Sequence, residues 1–348
     1  SGVAAAPLHI QQTLHAVGDS DDSAVRYLVS RLWTAMGHPR SLSLTVPVSQ
    51  LYLANLKHAV HWSVKITHID LLCDDARLDP SSAFHTATHL SNLLSVSEHL
   101  PVRMKAGQGL VEISDLLTTD QRNEIVVDLL RELETGQEEI SRYIPKYLGT
   151  LLCRLPMKEV EEGLAFLEDF VRASSVSPAR AALLTLGVIL CELARSGRDG
   201  DPLVTRVIGL LLTGVAHYDN TIHQTALSVL CKDVLGEDSL PLPVRQSYFL
   251  QIGKKLLTLL CEPRDDQLTF FTRAATLNHL YRFLIQCQVD LGDFPYPPLR
   301  PVAFFPGTFD PFSTGHKRIV EEIHALGFDV YLAIDEFSWS KRTLPKLQ

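Results

Sequence analysis

Apolar residues recur at intervals of three or four positions along most of residues 119–288 of this 348-residue chain. This interval is typical of the buried face of an α-helix. Met157–Ala173 follows this pattern after Pro156, and the segments at 177–194 and 201–216 open with Ser-Pro and Asp-Pro pairs. Proline is favoured at the first helical position, which needs no backbone donor. The pattern therefore predicts a mainly α chain of successive helices joined by short loops.

Three of these helices share a weak sequence repeat. Ala182, Ala226 and Ala275 stand in similar local sequences and are spaced by 44 and 49 residues. A helix pair that recurs at this period is typical of a HEAT- or armadillo-like array, in which small residues let helices approach closely. We therefore expect a helical-repeat (HEAT-like) array, and the alternative is an irregular helical bundle.

The composition changes at residues 289–300, where Pro295, Pro297 and Pro298 stand close together. Such a stretch is stiff and extended and cannot continue a helix. It divides the chain into a helical-repeat domain over 1–288, a Pro-rich linker over 289–300 and a distinct segment over 301–348.

The segment over 301–348 has the pattern of a βαβ unit. A short apolar run at 301–306 and another at 328–334 suit buried parallel strands, and residues 315–326 between them have helical spacing that ends at Gly327. A turn-rich loop, Gly307–His316, joins the first strand to the helix. Ligands bind at such carboxyl ends of strands, and helix N-termini favour phosphate.

The residues of this loop resemble the signature of the HIGH-motif nucleotidyltransferases, which include nicotinate-mononucleotide and phosphopantetheine adenylyltransferases and related cytidylyltransferases. The matching sequence is Gly-Thr-Phe-Asp-Pro-Phe-Ser-Thr-Gly-His over 307–316. The family motif is H-x-G-H, or T-x-G-H in the phosphopantetheine branch, and Ser313 stands here at its first position. Ten ordered positions in a strand–loop–helix context are a specific signal. The alternative is a tight turn that merely connects strand to helix.

The resemblance implies a Rossmann-like α/β domain that transfers an adenylyl group from ATP to a phosphate-bearing acceptor, with release of pyrophosphate. Such catalysis depends on positioning and charge stabilisation. The implied catalytic residues are His316, which would donate to triphosphate oxygens, Thr308, which would orient a phosphate, and Lys341, which would contact phosphate as a point charge. For Lys341 a solvated surface lysine is the alternative.

The resemblance also implies a nucleotide-binding set within the loop. Backbone amides around Gly307, Thr308, Phe309 and Gly315 would approach the phosphates, and Ser313 would act as a neutral donor beside His316. ATP is the expected nucleotide, with CTP left open, and Mg²⁺ is expected to be held mainly by the phosphates. No metal site formed by protein side chains is predicted.

The acceptor stays open between two branches. Ser313 favours a phosphopantetheine-like enzyme, whereas the appended helical domain favours a pyridine mononucleotide acceptor and hence NAD biosynthesis. The family's later Ser/Thr-rich segment with an arginine is not found, so we expect 301–348 to be the N-terminal part of a truncated domain, inactive alone. The alternative function is a helical protein-interaction scaffold with a vestigial or regulatory nucleotide-binding segment.

Charge and composition restrict the partners further. The net charge of −8 and pI of about 5.9 argue against nucleic acid and anionic membranes. The strongest apolar runs, Ala181–Cys191 and Val207–Ala216, are shorter than the roughly 20 residues of a membrane helix. The six dispersed cysteines indicate buried free thiols and a cytoplasmic protein. Two histidine pairs, His58/His61 and His85/His89, resemble partial metal sites, but no third ligand is evident.

Overall fold

The chain is mainly α-helical and carries a small two-stranded parallel sheet, as seen in a computed structural model. The prediction of a mainly α chain is therefore confirmed. The residues described below are 8–18, 20, 22–36, 48–134, 143–173, 175–261, 267–292, 300–307, 309 and 312–334.

Helices α1 to α14 precede the sheet, and one helix, α15, lies between its strands. In chain order the helices span Leu8–Gly18, Ser23–Ala35, Val48–His58, Trp62–Leu78, Ala83–Val96, Leu100–Ile113, Thr119–Glu134, Ile144–Leu152, Met157–Arg172, Val176–Arg195, Pro202–Val215, Asn220–Ser228, Leu242–Cys261, Gln267–Leu291 and Thr314–Ala325, and the strands β1 and β2 span Val302–Gly307 and Asp329–Ile334.

Helix α10, Val176–Arg195, lies at the centre of the helical part. It packs against α7, α8, α9, α11 and α12. Its side chains at Ala182, Leu186, Ile189 and Leu190 have no exposure to solvent. By length and composition α10 could also cross a membrane, but 67% of its most apolar window is buried inside the fold. The run Ala181–Cys191 thus lies inside a helix that matches the segment predicted at 177–194, and its neighbours bury most of it.

Glycines let two neighbours approach α10 closely. A Cβ built on Gly149 of α8 would lie 2.7 Å from the Val188 side chain and 3.0 Å from the Thr185 carbonyl oxygen. A Cβ built on Gly187 of α10 itself would lie 2.4 Å from Val229. Both positions therefore require glycine if the helices are to keep their separation.

The hydrogen-bonding pattern of the helix changes directly after α12. Residues Val229–Val234 form a π-helical turn. The guanidinium of buried Arg245 donates to the carbonyl oxygens of Leu235 at 3.2 Å and Leu240 at 2.9 Å. Arg245 thereby satisfies one carbonyl group at the end of the π-turn and one in the loop that leads into α13.

The three alanines of the weak repeat are not equivalent in the structure. Ala182 and Ala226 are fully buried, but Ala275 is exposed, and Thr276 beside it is buried instead. The equivalence of the third alanine is therefore wrong, because α14 buries a different face. Helix α14 also continues to Leu291, so the first three residues of the predicted linker are helical, and Gly292 follows with φ of +69°.

The strands β1 and β2 pair in parallel and in the predicted order, but they are not buried as expected. The side chain of Phe304 is 73% exposed, and along β1 exposed and half-buried residues alternate. Parallel strands are buried where helices cover both faces of the sheet. Among the described residues α15 packs against β2, and the alternating exposure along β1 leaves one of its faces open to solvent.

Five cysteines have described side chains, and all five are free thiols in buried or half-buried positions, as the sequence predicted. Burial raises the pKa of the thiols of Cys73, Cys153 and Cys231 to about 12. The compartment in which the protein works stays a prediction.

The close contact at Gly149 predicts opposite effects of the same substitution at two helical glycines. Gly149→Ala should lower the free energy of unfolding, since overpacking costs about 1–3 kcal/mol. Gly209→Ala should raise it by about 0.5–1 kcal/mol, because nothing lies within 4 Å of a Cβ at this exposed position. Urea denaturation of both variants measures the difference, and equal effects would contradict the packing described.

The raised thiol pKa values predict slow alkylation. At pH 8 a thiol with a pKa of about 12 holds about a thousandfold less thiolate than one at the ordinary 9.0. Cys73, Cys153 and Cys231 should therefore react with iodoacetamide at least about a hundredfold more slowly in the folded protein than in guanidinium chloride. Peptide mapping by mass spectrometry gives the rate at each cysteine, and comparable rates in the two states would refute their burial.

Candidate functional site

The candidate site lies where the chain leaves β1 and enters α15. The two strands run in parallel with Val302 opposite Asp329 and Gly307 opposite Ile334, so their carboxyl ends share one edge of the sheet. Helix α15 begins at Thr314, a few residues after β1 ends. The N-terminal end of α15 is therefore placed by the loop that follows the first strand, which is where ligands bind in parallel α/β units.

Ser313 and His316 form a reciprocal cap at the start of α15. The hydroxyl oxygen of Ser313 accepts a hydrogen bond from the backbone N–H of His316 at 3.3 Å. The backbone N–H of Ser313 donates to Nδ1 of His316 at 3.1 Å, and the Ser313 hydroxyl also lies 3.1 Å from this nitrogen. The arrangement is a capping box in which histidine takes the place of the usual glutamate or glutamine.

This cap assigns the proton on the His316 ring. An imidazole nitrogen that accepts a hydrogen bond carries no proton. Because Nδ1 accepts from the Ser313 backbone, the neutral ring carries its proton on Nε2. His316 therefore offers an N–H donor at Nε2 without needing a positive charge.

Three phenylalanines surround the His316 ring. The ring centroids of Phe309, Phe312 and Phe305 lie 5.3, 5.6 and 6.2 Å from its centroid. Phe309 meets His316 edge-on, with a 90° interplanar angle, and has φ of +49°, which is uncommon outside glycine. These contacts restrict the orientation of the half-buried imidazole.

The two glycines of the loop differ in what the fold requires of them. A Cβ on Gly307 would lie 3.1 Å from the ring of Phe309, so this glycine makes room for the aromatic cluster. A Cβ on Gly315 would meet nothing closer than the Ser313 hydroxyl, at 3.6 Å. The fold itself thus does not require glycine at 315, and the first turn of α15 is open on that side.

The structure brings five of the predicted site residues together in this one loop and helix start. They are Gly307, Phe309, Ser313, Gly315 and His316. Thr308 and Lys341 lie outside the described residues.

The two histidine pairs of the sequence are the candidates for metal binding. Among the residues that the structure describes, no group of three or more His, Cys, Asp or Glu side chains could hold a metal ion. His85 and His89 do contact each other edge-on, with ring centroids 4.6 Å apart.

The aromatic cluster is the part of the site that the sequence did not reveal. Phe312 occupies a variable position of the motif, and Phe305 belongs to the strand, so neither stood out. Their spacing of four and eleven residues from His316 gives no periodic signal. A second missed contact is an ion pair between Lys254 of α13 and Asp329, the first residue of β2.

Comparison with known proteins leaves the family open. No protein-family model matches the chain, and no curated protein matches it. Among solved structures, the crystal structure of an engineered protein, Northeast Structural Genomics Consortium target OR329, is 14% identical and has a TM-score of 0.30, over 78% of this chain and 96% of that chain. A TM-score this low transfers neither a fold nor a function.

The capping box predicts that Ser313→Ala weakens the start of α15. Loss of a serine cap costs about 0.5–2 kcal/mol, which corresponds to roughly two- to thirtyfold faster amide hydrogen exchange in the first turn. Ser313→Asp keeps an accepting oxygen and should exchange at nearly the original rate. NMR-detected exchange at His316 and Lys317 measures this, and unchanged exchange in Ser313→Ala would show that the cap contributes nothing.

Proposed function

We propose that this chain carries the nucleotide-binding loop of an adenylyltransferase of the HIGH-motif type, joined to a HEAT-like helical-repeat domain. The observation that supports it best is the state of His316. Its Nδ1 is engaged by the cap, so Nε2 is left as a hydrogen-bond donor at the N-terminal end of α15. A neutral donor at a helix N-terminus is suited to phosphate oxygens.

The proposed reaction joins two phosphates. An oxygen of the acceptor phosphate attacks the α-phosphorus of ATP, the new P–O bond forms, and the bond from that phosphorus to the β-bridging oxygen breaks. Pyrophosphate leaves with the electron pair. His316 would donate from Nε2 to the triphosphate oxygens, where negative charge develops, and the amides of the first turn of α15 would add their dipoles.

Gly315, Thr308, Lys341 and Mg²⁺ complete the proposed site. The absence of a packing requirement there leaves room for a phosphate against the backbone. Thr308 would orient a phosphate and Lys341 would contact one as a mobile cation. Mg²⁺ would enter as the ATP complex, with its ligands supplied by the triphosphate, which suits a site without a cluster of metal-binding side chains among the described residues.

The proposed acceptor is a phosphate-bearing metabolite, with a pyridine mononucleotide placed ahead of phosphopantetheine. This assignment would put the protein in NAD biosynthesis in the cytoplasm. It rests on the appended helical domain. Ser313 favours the other acceptor, because this residue is closer to the motif of the phosphopantetheine branch.

A second candidate function is a protein-interaction scaffold. A groove of about 940 Å³ lies among the helices, away from the candidate loop, and its lining includes Val111, Tyr147, Val188, Glu192 and Asp233. A scaffold would use such a groove and would bind no ATP at the loop.

The role of His316 predicts a large loss of activity on its removal. With ATP, Mg²⁺ and each acceptor in turn, His316→Ala should lower pyrophosphate release from the full-length protein at least about a hundredfold. His324→Ala is the matched control, because His324 lies exposed in the last turn of the same helix, and it should leave the rate within about twofold.

Two results would contradict the proposal. One is undiminished release by His316→Ala. The other is a protein that releases no pyrophosphate with any acceptor and also binds no ATP in calorimetry. That result would favour the scaffold.

A further inference from the structure

A second cavity lies in the N-terminal part of the chain, on elements other than the candidate loop. It has a volume of about 490 Å³ and is formed by α2, α3, α4 and α5. Its size is within the range of pockets that bind small molecules. The proposed transfer reaction makes no use of it.

The charge in this cavity is of one sign. Arg26, Lys57 and Lys65 line it from three different helices, and none of the described residues in its lining is a carboxylate. This is unexpected in a chain with a net charge of −8, in which many surface arginines and lysines pair with acids. Like charges brought together in a partly buried cavity repel one another, and an anion would relieve that repulsion.

The cations of the cavity have no partners within the described residues. The Nε of Arg26 is buried and makes no hydrogen bond. Neither Lys57 nor Lys65 is part of an ion pair there. Unpaired donors in a concave site are available to a ligand at no cost of breaking protein contacts.

Two histidines and an apolar wall complete the site. His85 and His89 of α5 meet edge-on at the cavity. Burial, with the charge of His85, lowers the pKa of His89, so its ring is neutral at neutral pH and can donate one hydrogen bond. Leu53 and Leu93 face the same space and are half-buried, which suits a ligand with an apolar part.

We propose that this cavity binds a small organic phosphate, a phosphate monoester with an apolar group. Three permanent cations balance the two charges of such a dianion better than the single charge of a carboxylate. Inorganic phosphate alone would leave the leucine wall without a partner. Nucleic acid is disfavoured by the acidic chain.

Phenyl phosphate is the probe for this site, titrated calorimetrically into the full chain. We expect saturable binding at one site that weakens as salt is raised from about 0.05 to about 0.5 M. Benzoate and inorganic phosphate should each bind at least about tenfold more weakly. Benzoate carries one negative charge fewer than phenyl phosphate, and inorganic phosphate lacks the apolar group.

Charge-neutralising variants locate the binding. Lys57→Gln with Lys65→Gln should weaken phenyl phosphate binding at least about tenfold. The matched control, Arg131→Gln with Lys158→Gln, removes two cations from exposed positions far along the chain and should change the affinity less than about twofold. Lys57→Gln alone, at an exposed side chain, gives a readout free of any folding defect, with about three- to fivefold weaker binding.

Several outcomes would overturn the proposal: no saturable binding of phenyl phosphate, equal losses in the two double variants, or benzoate bound as tightly as phenyl phosphate. His316→Ala should bind phenyl phosphate as the unsubstituted protein does. Loss of binding in that variant would place the phosphate at the candidate loop instead. Phenyl phosphate binding at the cavity can therefore be tested independently of the proposed transferase activity.

Discussion

The burial of α10 over most of its surface is the constraint on which the helical part depends. A helix this apolar must be covered by neighbouring helices on its apolar faces, and a half-buried stripe that includes Val188 and Glu192 borders the large groove. Close cover requires small residues, and Gly149 and Gly187 provide it at two interfaces. The π-turn takes part in the same close packing, because Val229, its first residue, lies against Gly187.

The cap formed by Ser313 and His316 combines a structural and a chemical role in one pair. The same hydrogen bonds that start α15 also determine which ring nitrogen of His316 carries a proton. The phenylalanines around the ring hold it in place, so the donor is oriented before any ligand arrives. A preorganised donor of this kind needs no rearrangement to stabilise developing charge. The local fold of this loop and its proposed chemistry are therefore consequences of the same contacts.

Net charge conceals the way charge is distributed in this protein. The chain is acidic as a whole, yet the described lining of the cavity formed by α2, α3, α4 and α5 contains cations and no acids. Electrostatic potential in a cleft depends on its own lining and not on the total. A negative net charge disfavours extended polyanions, but it does not exclude one small anion in one pocket.

The local features of this protein can be predicted from its sequence. Helical periodicity, proline starts and Gly327 identified the helices between residues 157 and 216 and the strand–helix–strand order of 301–334, and the loop residues of the candidate site were recognisable because they are contiguous. Ser313 and His316 are three residues apart, so even their contact is local. Hydrogen bonds and dihedral preferences act between near neighbours, and a pattern in the sequence can record them.

The other features of the protein depend on how distant parts of the chain pack together. The exposure of Ala275, the π-turn and the open face of the sheet depend on which helices pack together. The basic cavity brings together Arg26, Lys57 and Lys65 from three helices, and their spacing along the chain does not predict it. Side chains that are distant in sequence meet through packing, which depends on the shapes of whole surfaces rather than on the order of residues.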